Sequence, residues 1–293
     1  MPWALTIVAP PSTGELFREV RELYLGYFRR WFGITAPASL LVTMILILAD
    51  ESLRMYRSNL VMAIVLRLGS YFLAWLFACF TLGAIASVVN NVLAGDEEST
   101  WSGDGYEKAR ERLGPLAVVA SLTVIGLLIG IIAVSAINFA LLRVVGTPHF
   151  RKVLYWGVAD VGYLIVAWLL SRFGLAIPLL IRETISGWQA LRESVEITRG
   201  YGDYLFLLVG ESAAGSFVAS LAIRYGFDLL RLPRAVGPEW FPWIYYPAVA
   251  LASASVQPLM FIGFSVLSYR STEAGSVASI AQPTGTSTLW PRF

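Results

Sequence analysis

The sequence predicts an all-α protein that crosses a bilayer about six times, and three observations carry that expectation. Of the 293 residues, 57% are hydrophobic and only 14% charged, well below the roughly 25% of ordinary soluble domains. A soluble fold of this length would lack the polar side chains to cover its surface, whereas helices facing lipid need none. Mean hydropathy is +0.66, and the apolar runs spread evenly from Trp31 to Tyr269 instead of collecting in one block. Several of these runs reach the length of about 20 residues that a helix needs to cross a hydrocarbon core of about 30 Å.

Taken in order, the first crossing is expected from Phe32 to Ala49, closed by Asp50 and Glu51. The second runs from about Leu60 to Val89, with Asn90 and Asn91 at its end, and the third from Pro115 to Leu142. The third carries Gly126 and Gly130, a small-xxx-small spacing that lets helices approach closely. The fourth spans about Val153 to Ile181, the fifth Tyr204 to Ile223 and the sixth Ile244 to Tyr269. Between the last two, Arg224 to Pro238 reads as a short helix on the outer surface, and the aromatic run from Trp240 to Tyr246 suits a lipid–water interface. The partition is residues 1–30 as an N-terminal segment with an interfacial helix, 31–270 as the transmembrane domain and 271–293 as a flexible, Ser/Thr/Gly/Pro-rich tail.

Lys and Arg are modestly more frequent in the segments on the N-terminal side of the bilayer, which predicts both termini in the cytoplasm. The opening MPWALTIVAPP lacks the basic region of a signal peptide, so insertion is expected through the first, uncleaved helix. Net charge is +2, and the basic residues are scattered, which excludes the clustered stripe that a nucleic-acid backbone requires. Cys79 is the single cysteine, which removes an intrachain disulfide and thiolate metal sites.

Ahead of the first crossing, Ser12 and Glu15 have capping-box spacing. Leu16, Val20, Leu23, Tyr24 and Tyr27 then recur at helical period, opposite Arg18, Glu19, Arg21 and Glu22. This is the pattern of an amphipathic helix lying at the membrane surface. Related segments, Gly105 to Leu113 and Gly187 to Ile197, precede the third and fifth crossings at a spacing of about 85 residues, so three copies of one unit are expected: a surface helix followed by a transmembrane hairpin.

The stretch Ala176-Ile-Pro178-Leu-Leu-Ile-Arg-Glu183, followed by Ala190-Leu-Arg-Glu-Ser194-Val-Glu-Ile-Thr198-Arg199-Gly200, resembles the signature of the glycerophosphoryl diester phosphodiesterase membrane-domain family. Thr13 to Arg18, the Arg112-Leu-Gly-Pro115 junction and the end of the sixth helix are similar as well, so the resemblance covers nearly the whole chain. It implies a bacterial six-helix membrane protein without an assigned activity. Family members often end the last helix on Tyr-Asp-x-Arg, where this chain reads Leu267-Ser-Tyr269-Arg270, so no role for that aspartate carries over. The phosphodiesterase activity belongs to a separate barrel domain fused to some members, and the resemblance implies the membrane part, not the enzyme.

Nothing in the sequence resembles a catalytic constellation, and no enzyme activity, cofactor or metal is expected. His149 is the lone histidine, beside Arg151 and Lys152 in a loop. Charges within the membrane are more informative, because each costs about 2.5 to 3.5 kcal/mol at a helix centre and calls for a partner or water. Arg172 and Glu211 qualify by depth, about 15 Å and about 12 Å above the ends of the fourth and fifth helices at 1.5 Å per residue. A buried Arg172–Glu211 ion pair is therefore expected, with Gln257 also near mid-membrane. The pair either fixes helix register or lines a polar cavity for a lipid headgroup or other solute. Arg67 and Asp160 fall near helix ends, where side chains snorkel to water. Pro178 is expected to bend the fourth helix, and Ser194, Thr198 and Leu191 to share one helix face.

Two functions fit these readings. The first is a noncatalytic accessory or scaffolding subunit of a larger membrane assembly, in contact with membrane lipids and other membrane proteins but no nucleic acid. The other is a transporter or lipid-handling protein with a polar intramembrane site, which internal repeats also suit. A bacterial cytoplasmic (inner) membrane location is expected for either.

Overall fold

The computed structural model describes residues 12–55, 59–96, 102–144, 168–183, 185–237 and 240–281. Among them the chain is all α-helical, with no strand, and five segments are long and apolar enough to cross a membrane: Phe28–Glu51, Val65–Leu93, Leu113–Gly130, Gly202–Leu229 and Phe241–Thr272. These correspond to five of the crossings read from the sequence. Most of the fourth, together with His149, Arg151, Lys152 and Asp160, lies outside the described residues. The protein is a membrane-type helical bundle.

The helices are α1 (Thr13–Gly26), α2 (Phe28–Met55), α3 (Leu60–Leu93), α4 (Ser102–Glu111), α5 (Leu113–Val144), α6 (Ala176–Arg182), α7 (Gly187–Thr198), α8 (Gly202–Leu229), α9 (Leu232–Val236), α10 (Phe241–Ala254) and α11 (Gln257–Ala281). Short α1, α4 and α7 each precede a long apolar helix, as the three amphipathic segments predict. The last helix runs on to Ala281, past Arg270, where the tail was expected to begin. The fifth crossing likewise continues to Leu229, which absorbs the first part of the expected surface helix and leaves only α9 of it.

α3 and the α10–α11 pair form the centre. In their apolar spans 56% and 50% of residues are buried, against 22%, 18% and 17% for the spans in α2, α5 and α8. The exposed apolar residues on those outer helices, Leu41 and Phe217 among them, form the surface a bilayer would cover. The closest helix approaches differ from the expected one. Gly126 has open space around it, whereas a Cβ on Gly263 of α11 would lie 2.2 Å from Leu208 of α8. Gly263 is therefore what lets these two helices touch, and no spacing pattern in the sequence marks it.

α1 carries the capping box read from the sequence: Ser12 Oγ accepts from the Glu15 N–H at 3.3 Å, and Glu15 Oε2 accepts from the Ser12 N–H at 2.8 Å. The apolar stripe Leu16, Val20 and Leu23 is buried, but against protein: α1 packs on α11, with Glu19 Oε1 2.6 Å from Arg270 Nη2 and Phe17 edge-on to Tyr204 at 4.8 Å. It is docked on the end of the bundle, where the sequence alone suggested a helix lying on lipid.

Two crossings are interrupted at prolines. The sixth turns at 255–256 between α10 and α11, and Pro258 lies in the first turn of α11. Proline has no N–H to offer the carbonyl four residues earlier, here Ala254. The hydroxyl of Thr35 on α2 lies 2.8 Å from Ala254 O and 2.9 Å from Trp31 O of its own helix, so its one proton is shared between these carbonyls, and Tyr24 of α1 donates to Ser255 O. The fourth turns at 174–175, four residues before Pro178, so the proline bends the chain as expected and the break falls at Gly174. A Cβ there would meet the Phe264 ring at 2.5 Å, so only glycine lets the break pack against α11. Ser194 of α7 donates to the nearby Arg172 carbonyl at 2.6 Å. In hydrocarbon such freed carbonyls have no water to turn to and must be met by side chains.

Thr35→Val keeps the shape of this junction and removes its donor. It is expected to lower stability by about 1–3 kcal/mol, read as a lower unfolding temperature in mild detergent. At the N-terminus, the Ser12 backbone N–H, then its hydroxyl, hold the Glu15 carboxyl below its ordinary value of 4.5. Because the folded value is the lower one, the cap's contribution is complete above pH 4.5 and is lost as pH falls through the folded value. Amide protection in the first turn of α1, corrected for intrinsic exchange, should therefore hold at pH 5 and fall on further acidification.

Candidate functional site: a cavity between the first, second and sixth crossings

Where α2, α3 and α10–α11 meet, they leave a cavity of about 480 Å³. Its position follows from the proline break: the turn at 255–256 displaces the axis of the sixth crossing and points Gln257, in the first turn of α11, into the gap. Ser39 of α2 donates to Gln257 Oε1 at 3.3 Å, and no described residue accepts from the Gln257 amide nitrogen. The amide and the hydroxyls of Ser39, Ser253 and Thr81 form a polar floor. Thr81 Oγ1 also donates to Phe77 O at 2.8 Å.

The walls are mainly apolar, with Val42, Leu46, Ile47 and Val249, and the hydroxyls of Thr43 and Ser70 lie among them. The rim, at the end of the bundle opposite α1, holds Asp50, Arg67, Tyr71 and Tyr246. Arg67 Nε donates to Tyr71 Oη at 3.2 Å. Among the described lining residues, charged groups thus stand only where the spans begin and end, and the lining below them is mainly apolar, with uncharged hydrogen-bonding groups reaching to its floor. Such a site can hold an amphiphile with its charged end at the rim.

Of the three intramembrane polar candidates, Gln257 alone reaches this cavity. It also lines a second, smaller one of about 200 Å³ with Trp75, Cys79, Phe173 and Phe264, so its side chain stands between the two. Arg172 and Glu211 do not form the expected ion pair. The Arg172 guanidinium lies 5.8 Å from the centroid of the Trp168 ring, with Nη1 3.4 Å from Thr198 Oγ1. Glu211 falls on the exposed face of α8, because Leu205, Leu208, Val209 and Ser212 take the buried face. The two residues share a depth but not a direction, and depth is all that a count along the chain supplies.

The family-like residues serve a junction. Pro178 and Ala190 are buried in α6 and α7, and fully buried Ser194 binds the Arg172 carbonyl. Between Pro178 and Glu183, Arg182 donates to the Tyr269 carbonyl at 2.6 Å and stacks over the Tyr269 ring at 4.3 Å. Glu183 is half-buried, while Arg199 and Gly200 are exposed. Arg199 lines an exposed groove of about 530 Å³ between α5 and α7, with Trp188, Arg192 and Glu196. The Arg192–Glu196 pair there is 3.5 Å apart and largely solvated, so it adds little. Outside the crossings, burial and then the charges of Glu183 and Glu196 push the Glu193 carboxyl up.

Among the described residues no group of three His, Cys, Asp or Glu could hold a metal ion. The rim residues Asp50 and Arg67 and the floor residues Ser39, Thr81 and Ser253 escaped the sequence reading as a group. They come from separate helices, and only Arg67 stood out there, as a snorkelling side chain. Comparison with known families, with curated proteins and with solved structures finds no match for the chain.

Glu211→Gln is expected to leave the unfolding temperature in detergent unchanged, whereas Ser194→Ala should cost about 1–3 kcal/mol by orphaning a buried carbonyl. A drop for Glu211→Gln as large as that for Arg172→Gln would show that the two charges are coupled after all.

Proposed function

We propose that the protein is a noncatalytic integral membrane protein that handles lipid: it accommodates an amphiphilic molecule in the cavity between α2, α3 and α10–α11. The supporting observation is that cavity's division into charged rim, mainly apolar walls and polar floor, at a volume within the usual range for small-molecule sites of about 300–1,000 Å³. The excess of basic residues on the N-terminal side and the resemblance of residues 176–200 to the phosphodiesterase membrane-domain family support a bacterial inner-membrane location with cytoplasmic termini. That resemblance brings no activity with it.

A second reading, an accessory or scaffolding subunit of a larger assembly, is favoured by Glu211. A carboxylate on the exposed face of a crossing costs about 2.5 to 3.5 kcal/mol if it meets lipid, and a polar group on a partner helix would relieve that cost.

Native mass spectrometry of the chain released from mild detergent tests the first reading. The unaltered protein should retain phospholipid, and Val249→Trp, which fills the cavity from its wall, should lose most of it. Equal retention by the two proteins would overturn the lipid-handling reading.

A further inference from the structure

Among the described residues, the rim of the cavity carries one acidic and one basic group that are not spent on each other. Asp50 closes the first crossing and Arg67 lies just inside the start of the second, so both stand at the level where lipid headgroups meet water. Both are exposed at the rim of one cavity. No ion pair joins them, however. Arg67 Nε is turned to Tyr71 Oη, and no described residue donates a hydrogen bond to the Asp50 carboxylate.

Two opposite charges held apart at one mouth match a ligand that is itself dipolar. A phosphate suits Arg67, whose planar fork presents paired N–H donors to two oxygens. A primary ammonium suits the acceptor-only carboxylate of Asp50. A purely anionic headgroup would satisfy Arg67 but bring negative charge toward Asp50, and a purely cationic one would reverse the fault. Below the rim the walls are mainly apolar, and the burial they offer an acyl chain favours a lipid over a free phosphate compound.

Resting on the lipid-handling reading, we propose that the Asp50–Arg67 rim selects a zwitterionic headgroup, phosphate on Arg67 and ammonium on Asp50, carried by a membrane lipid whose chain follows Val42, Leu46 and Val249.

The test uses the full chain in mild detergent, stripped of endogenous lipid, and titrates it with dioctanoyl phosphatidylethanolamine, dioctanoyl phosphatidylglycerol and soluble O-phosphoethanolamine. The ethanolamine lipid should bind about tenfold more tightly than the glycerol lipid, the scale of one charge-assisted hydrogen bond. O-phosphoethanolamine should be weaker by at least as much. Its binding as tightly as the lipid would keep the charge pairing and overturn the lipid as its source. Asp50→Asn should abolish the preference while leaving the glycerol lipid as tight or tighter, and Arg67→Gln should weaken both lipids. Both positions are exposed, and an unchanged elution volume and helical content establish that the variants fold. Equal affinity of the native protein for the two lipids, or a preference that survives Asp50→Asn, would overturn the headgroup assignment and leave the cavity reading intact. Binding of neither lipid, or binding unchanged in Val249→Trp, would instead sink the cavity reading itself.

Discussion

The breaks in the fourth and sixth crossings answer to one constraint: a backbone carbonyl that loses its helical partner inside hydrocarbon has no water to replace it. Pro178 and Pro258 each create such a loss four residues upstream, at Gly174 and Ala254. The repairs come from elsewhere in the chain. At the Pro258 break Thr35 and Tyr24 reach the carbonyls of Ala254 and Ser255; at the Pro178 break Ser194 reaches the carbonyl of Arg172, two residues before Gly174. Two of these three donors sit on the short helices α1 and α7, so docking the surface helices and breaking the crossings are parts of one arrangement. A surface helix that merely floated on lipid could not make these bonds.

The cavity is a consequence of the same break. A straight sixth crossing would carry Gln257 on a continuous helical face. Interrupted at 255–256, it turns that amide into the space between α2 and α3 and leaves room beside Ser39 and Thr81. The polar floor is then nearly self-sufficient. Ser39 is paired with Gln257 and Thr81 with its own helix, which leaves the Gln257 amide nitrogen and the Ser253 hydroxyl as donors facing an occupant. The rim differs in kind, because Asp50 and Arg67 belong to different crossings and are brought to one mouth by the packing of α2 against α3.

At the other end of the bundle, charge serves assembly. Glu19 and Arg270 tie α1 to α11, and Arg182 grips both the carbonyl and the ring of Tyr269. The segment that resembles a family signature lies at this junction, where α6 passes under α11 and α7 closes over the end of the fourth crossing. Its small and hydroxylated residues, Ala190 and Ser194, are fully buried, and its arginine Arg182 is engaged by Tyr269. The composition of this motif suits close packing and carbonyl repair.

The sequence by itself determined the solvent, the helices and their order, because hydrophobic length and the capping box at Ser12 and Glu15 are local properties of neighbouring residues. It also marked Gln257 as a polar group at depth and Pro178 as a bend, since both follow from position along one helix. Direction around the helix axis against a particular neighbour is not local, and that is where the tertiary structure decided. It turned Glu211 outward and gave Arg172 to Thr198 and Trp168 in place of the carboxylate. It chose Gly263, not Gly126, as the point where helices touch, docked α1 on protein instead of lipid, and gathered Asp50, Arg67, Ser253 and Gln257 from the first, second and sixth crossings around one cavity.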